Sequence, residues 1–322
     1  MYFYYNFFIK IITVLFIFVN NYFICLKIFN IFFNIYIMNK PLIIDCFMYN
    51  GEPIVEFRLE YLYNHVDNII LIESWYTHSG NKKSELYFNK NIDIFKKYQN
   101  KLFVVIIDKF PNKDDPEFKD IVKNEILPEV SDSWVREVYN RNCVQNILLE
   151  KFKQPFIVLV CDADEIPQKE LVSNIHYDYD TLDNGIHLQM YLLQYGFIWR
   201  KKTWWYHPFI INDKGTKNLS YSKVRLTFNN FIENAGWHIT YCYSINDNIK
   251  KLESFAHTEF NKLEYKNKNY MLTCMLSGRS FLSINEQDIL IPTYGKKLPE
   301  GWKIFQDKIN KMIFEDEYPN IK

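Results

Sequence analysis

The chain has no excess charge of either sign: its 322 residues carry 38 Lys plus Arg against 38 Asp plus Glu. A nucleic-acid binder would normally show a basic surplus, so that class of partner is not expected. Cysteine is sparse, with six residues (Cys25, Cys46, Cys143, Cys161, Cys242 and Cys274) and neither a C-x-x-C pair nor a Cys/His ligand spacing. A thiolate metal site or a dithiol redox motif is therefore not indicated. Cys46 and Cys161 lie in apolar runs and read as buried thiols; the other spacings leave a disulfide among Cys143, Cys242 and Cys274 open. Glycine is scarce, at nine residues. There is no internal repeat, no long linker, and no small-residue cleavage site of the kind that ends a secretory signal.

Aromatic side chains are what the sequence does have, at 18% of the chain. Residues 2–37 are almost wholly apolar, with Lys10 and Lys27 as the only charges. A span of about 20 apolar residues crosses a bilayer, which gives two readings of this stretch. In one it is a signal anchor, and the protein is a single-pass type II membrane protein of the ER or Golgi kind. In the other, synthesis begins at Met38 and the protein is soluble and intracellular. Either way the organisation expected is a hydrophobic segment over 1–40 followed by one α/β domain over 41–322.

From Leu42 onward, apolar runs alternate with helical periodicity. Strands are expected at 42–49, 67–74, 101–108 and 155–164. Helices are expected at 52–66 and, as one long amphipathic element, at 134–152. Such alternation argues for a largely parallel sheet, in which ligands bind at the carboxyl ends of the strands. The second half reads as further strands, including 185–199, "KVRLTF" and "AGWHITYCYS", with a last helix over 299–314. The segment "YGFIWRKKTWWYHP" (195–208) is rich in rings suited to a carbohydrate surface, although ordinary core packing accounts for many of them.

The most informative stretch is "VLVCDADEIP" (158–167), a greasy strand that ends in three acids. Crowded like charges are costly when buried, so something must offset them. Three explanations compete. Hard carboxylates hold Mg²⁺ or Mn²⁺, which neutralises a nucleotide diphosphate. Alternatively, the first Asp is the nucleophile of a phosphohydrolase, although Ile166 stands where that motif wants Thr or Val. Or the acids cap a helix beginning near Pro167, which needs only one of them.

Several stretches taken together resemble glycosyltransferase family 17, the β-1,4-mannosyl-glycoprotein 4-β-N-acetylglucosaminyltransferases that add bisecting GlcNAc. They are "IDCFMYNGE" (44–52), "VDNIILIESWYTHSGNKK" (66–83), "IDKFP" (107–111), "WVREVYNRN" (134–142), "DADEIP" (162–167), "YGFIW" (195–199) and "AGWHITYCY" (235–243). The resemblance implies a GT-A-like, Rossmann-like fold with helices flanking the sheet. It also implies UDP-GlcNAc as donor, a mannose-containing N-glycan-like acceptor, an inverting β-1,4 transfer and a divalent metal. An inactive or purely glycan-binding relative is the alternative.

Roles follow for particular residues. Asp162 and Asp164 are expected to hold the metal and the donor, with His238 as a third ligand. Asp45, Glu73, Arg141 and Trp237 are expected at the donor: the carboxylates at strand ends, Arg141 toward the diphosphate, and Trp237 beside Gly236 where the backbone passes close. Arg141 alternatively pairs with Glu137 four residues earlier. An inverting transfer needs a base for the acceptor hydroxyl. Glu259, and less so Glu165, are the residues considered for it.

Overall fold

The computed structural model describes residues 40–228, 230–283, 288–293 and 298–315. The apolar segment read as an anchor lies outside them. Among the described residues no helix is long and apolar enough to cross a membrane.

The domain is α/β and is organised by one mixed sheet. Its strands are β1 (Leu42–Met48), β2 (Asn68–Ser74), β3 (Leu102–Ile107), β4 (Phe156–Asp162), β5 (Glu165–Pro167), β6 (Ile186–Gln194), β7 (Trp199–Trp205), β8 (Phe209–Asn212), β9 (Phe231–Thr240) and β10 (Ile291–Pro292). The order is β10-β7-β6-β8-β4-β1-β2-β3, with β9 beside β6 and β5 beside β9. The half containing β4, β1, β2 and β3 is parallel. β8 then joins β4 antiparallel, and the rest is antiparallel apart from the β6–β9 pair. The helices that position the site are α1 (Val55–Leu62), α2 (Asp132–Asn142), α3 (Val144–Lys151), α4 (Tyr221–Leu226), α5 (Ile245–Ser254) and α6 (Trp302–Glu315).

The parallel strands β1, β2 and β4 are apolar and buried on both faces because both are covered, whereas the edge strand β3 leaves Phe103 and Ile106 exposed. Alternation along each strand then sorts its residues. In β1, Ile43 and Phe47 enter the core shared with α1, whereas Ile44 and Cys46 enter the second core, under α3 and α4. β4 sorts in the same way: Ile157, Leu159 and Cys161 to the first core, Phe156, Val158 and Val160 to the second. Each large side chain so buried contributes about 1.5–3 kcal/mol. The five cysteines among the described residues are free.

Three elements differ from the sequence reading. The helix expected over 134–152 is two, α2 and α3, meeting at Cys143. "KVRLTF" forms the end of helix α4, not a strand, because the Ser220 side chain accepts a hydrogen bond from the Lys223 N–H and caps it. Pro167 lies in β5, not at a helix start; the following helix begins at Lys169 without a side-chain cap. Proline is tolerated there because β5 is three residues long and pairs only with β9.

Candidate active site at the switch point of the sheet

After β3 the chain returns to the other side of β1 to form β4. The carboxyl ends of β1 and β4 therefore flank the point where the strand order reverses, which is where open α/β sheets bind ligands. The register sets Met48 opposite Asp162. A cleft of about 520 Å³ opens there, its lining including Asn50, Glu52, His78, Asp162, Asp164, Trp205, His238 and Lys251.

The acidic turn is held by cationic side chains from four helices. Arg58 of α1, fully buried, forks onto Asp45 with Nε–Oδ2 at 2.9 Å. Its Nη1 donates to the main-chain carbonyls of Asp162 and Glu165. Arg225 of α4 donates to Asp162 Oδ2 at 2.6 Å and to Glu165 Oε1 at 2.7 Å. Arg141 of α2 donates to Asp162 Oδ1 at 3.0 Å and to Glu137 at 3.1 Å. Lys251 of α5 donates to Asp164 Oδ2 at 3.0 Å. The cations thus supply what the crowded carboxylates demand. Burial pushes the Asp162 carboxyl up, but Arg225 and Arg141 overcome it and hold the group well below the usual range. Burial likewise opposes ionisation of Asp164, and Lys251 and His238 reverse it.

The structure brings Asp164 and His238 together. β9 pairs with β5 so that His238 stands opposite Glu165, and its Nε2 lies 3.3 Å from Asp164 Oδ1. The Nδ1 of the same ring is buried with no hydrogen-bond partner. One carboxylate oxygen and one imidazole nitrogen at this separation can occupy adjacent positions on one cation. Mg²⁺-type sites typically take only one or two protein ligands, the rest coming from phosphate and water. Both oxygens of Asp162 accept from guanidinium groups, Oδ1 from Arg141 and Oδ2 from Arg225. No group of three or more His, Cys, Asp or Glu side chains among the described residues is arranged for a metal ion.

Other residues expected here stand elsewhere. Asp45 is 1% exposed and spends its carboxylate on Arg58. Strand parity explains this: Asp45 faces α1, while Asp162 faces α2. Glu73 is fully buried, accepting from Lys83 and from the N–H groups of Tyr87 and Phe88, and so anchors the loop after β2. Trp237 points into the first core, against Tyr61, and does not line the cleft. The glycine before it serves a close approach to protein, not to donor: a Cβ on Gly236 would sit 2.3 Å from the Ile166 carbonyl oxygen. Glu165 is buried, with Arg225, the Trp205 Nε1–H and the Asp162 N–H on its oxygens. It is a brace without a lone pair directed at the cleft. Glu259 lies on an exposed turn paired with His257 and is not a cleft residue.

Four residues were missed: Arg58, Arg225, Lys251 and Glu52. Arg225 was hidden by reading α4 as a strand. Lys251 resembles its neighbour Lys250, yet only Lys251 turns inward. Glu52 sits in the cleft with Oε2 accepting from the Asn50 N–H. Burial, opposed by Lys251, pushes its carboxyl up to about 7.

A switch-point crevice with a carboxylate–imidazole pair and fixed cations is chemically suited to a phosphorylated ligand. A sequence profile of glycosyltransferase family 17 matches residues 34–287. The chain belongs to that family and is a glycosyltransferase. No curated protein matches it.

Proposed function

We propose that the enzyme transfers GlcNAc from UDP-GlcNAc to a mannose-containing, N-glycan-like acceptor, with inversion, in β-1,4 linkage. The observation that carries this reading is the Asp164–His238 pair facing a cleft at the β1/β4 switch point, with Arg141, Arg225 and Lys251 beside it. Asp164 and His238 would hold Mn²⁺ or Mg²⁺, which when bound supplies a Lewis acid for the departing diphosphate.

The remaining roles belong to the chain itself. Arg225 and Arg141 are pre-oriented by Asp162 and present fixed positive charge to the diphosphate without rearranging, which is the economical way to stabilise charge that develops during reaction. Lys251 stays protonated because Asp164 outweighs its burial. Glu52 replaces Glu259 and Glu165 as the proton acceptor for the acceptor hydroxyl: it is the cleft carboxyl whose affinity for a proton lies near neutrality, where a general base is most effective.

The test is incubation of the purified protein with UDP-GlcNAc, Mn²⁺ and a panel of mannose-containing N-glycans. Transfer should enlarge a glycan by one N-acetylhexosamine, and proton NMR of the product should show a β-anomer. Release of UDP with every glycan returned unchanged would refute the reading.

A further inference from the structure

A file of rings leads out of the cleft. From Asp164 the neighbouring ring is His238, and Trp205 stands 4.4 Å from it, centroid to centroid. His207 is 4.4 Å from Trp205, and both line the cleft. Phe228 follows at 5.2 Å from His207. Tyr206 bridges Phe228 (6.4 Å) to Phe231 (5.2 Å). The inner rings are built into the protein: the Trp205 Nε1–H donates to Glu165 and His207 contacts the Arg225 carbonyl. The outer ones are not, since Phe228 is 53% and Phe231 48% exposed.

Two half-exposed phenylalanines joined through a tyrosine form a patch, which needs an explanation that a lone exposed Leu or Val does not. The rim of this patch is amide and hydroxyl. Gln189 donates to the Tyr206 hydroxyl at 3.0 Å, the Tyr191 hydroxyl donates to Asn234 at 3.0 Å, and Asn230 and Asn234 are exposed. Flat rings with neutral hydrogen-bonding groups at their edges suit a pyranose chain, which has an apolar C–H face and a perimeter of hydroxyls.

We infer that Phe228, Phe231 and Tyr206 form an outer acceptor subsite, on which a neutral oligosaccharide lies while its reacting sugar occupies the cleft beside Trp205 and His207. The occupant follows from continuity: the patch is the outward end of the ring file that begins at the Asp164–His238 pair. This rests on the transferase reading above and adds to it that the acceptor is recognised beyond its reacting sugar.

The experiment uses the F228S/F231S double variant, which alters exposed rings and should leave folding intact, as circular dichroism and UDP-GlcNAc titration would verify. With a trimannosyl-chitobiose glycan as probe, KM for the acceptor should rise on the order of tenfold, equivalent to about 1.4 kcal/mol. By contrast, kcat, the KM for UDP-GlcNAc and turnover of a methyl mannoside should change by less than about twofold. Saturation-transfer NMR of the same glycan, without donor, should show contact with wild type and lose it in the variant. An unchanged acceptor KM, equal saturation transfer in both proteins, or no contact with wild type would overturn the subsite. So would a wild-type dimer that the double variant dissociates, since the patch would then be a subunit contact. A wild type that binds the glycan through these rings but not UDP-GlcNAc would refute the transferase reading and leave the glycan site standing.

Discussion

Arg58→Met should be among the most damaging single substitutions in the domain, and its partner Asp45 explains why. Both side chains are at most 1% exposed. The substitution strands the Asp45 carboxylate and strips a donor from the carbonyls of Asp162 and Glu165. Removing one member of a buried ion pair costs about 3–5 kcal/mol. Each carbonyl left dry adds about 1 kcal/mol or more. The expected loss is therefore about 5–7 kcal/mol, a large share of the 5–15 kcal/mol that typically holds a domain together. Urea unfolding followed by fluorescence measures it. The Arg58→Met/Asp45→Leu double variant should recover at least about 2 kcal/mol, because replacing both members of a buried pair with apolar groups is far less costly than removing one. If Asp45→Asn instead left the urea midpoint unchanged and abolished donor binding, Asp45 would be a ligand and the structural role assigned to this pair would be wrong.

Three further outcomes are expected. Burial raises the Glu52 carboxyl from 4.5 to about 7, so the folded state holds more protons than the unfolded one across that window. Stability contributed by Glu52 should fall as pH rises through it, by about 1–2 kcal/mol after allowance for its partial exposure; Glu52→Gln should remove that slope in unfolding titrations and abolish kcat, whereas Glu259→Gln should do neither. Arg225→Lys keeps the charge but loses the fork that spans Asp162 and Glu165, and should raise KM for UDP-GlcNAc by about tenfold in steady-state assays. Gly236→Ala would force β9 from the Ile166 carbonyl and should cost about 2–4 kcal/mol in urea unfolding.

The parallel half of the sheet was legible because β1, β2 and β4 are buried on both faces and read as unbroken apolar runs. The acids of "DADEIP" were legible for the opposite reason, since nothing local offsets their charge. Their partners were not, because Arg58, Arg141, Arg225 and Lys251 come from four helices scattered between positions 58 and 251. Which face a strand-end carboxylate takes is equally invisible without the register. Asp45 and Asp162 look alike in sequence, but one faces α1 and the other the cleft. The meeting of His238 with Asp164 depends on the β5–β9 pairing, and the motif "AGWH" signalled it only through the family resemblance. Alternation misled at "KVRLTF", where six residues are too few to separate a strand from a short helix and the Ser220 cap decides.

The most direct test of the site is calorimetric titration of UDP-GlcNAc into the wild type and Asp164→Asn, each with Mn²⁺ and with EDTA. Wild type should bind with Mn²⁺ and weaken markedly in EDTA, and Asp164→Asn, folded by circular dichroism, should lose the metal-dependent part. Equal affinity with and without the cation, or an Asp164→Asn protein that binds as wild type does, would contradict the assignment of Asp164 and His238 as the centre of the donor site.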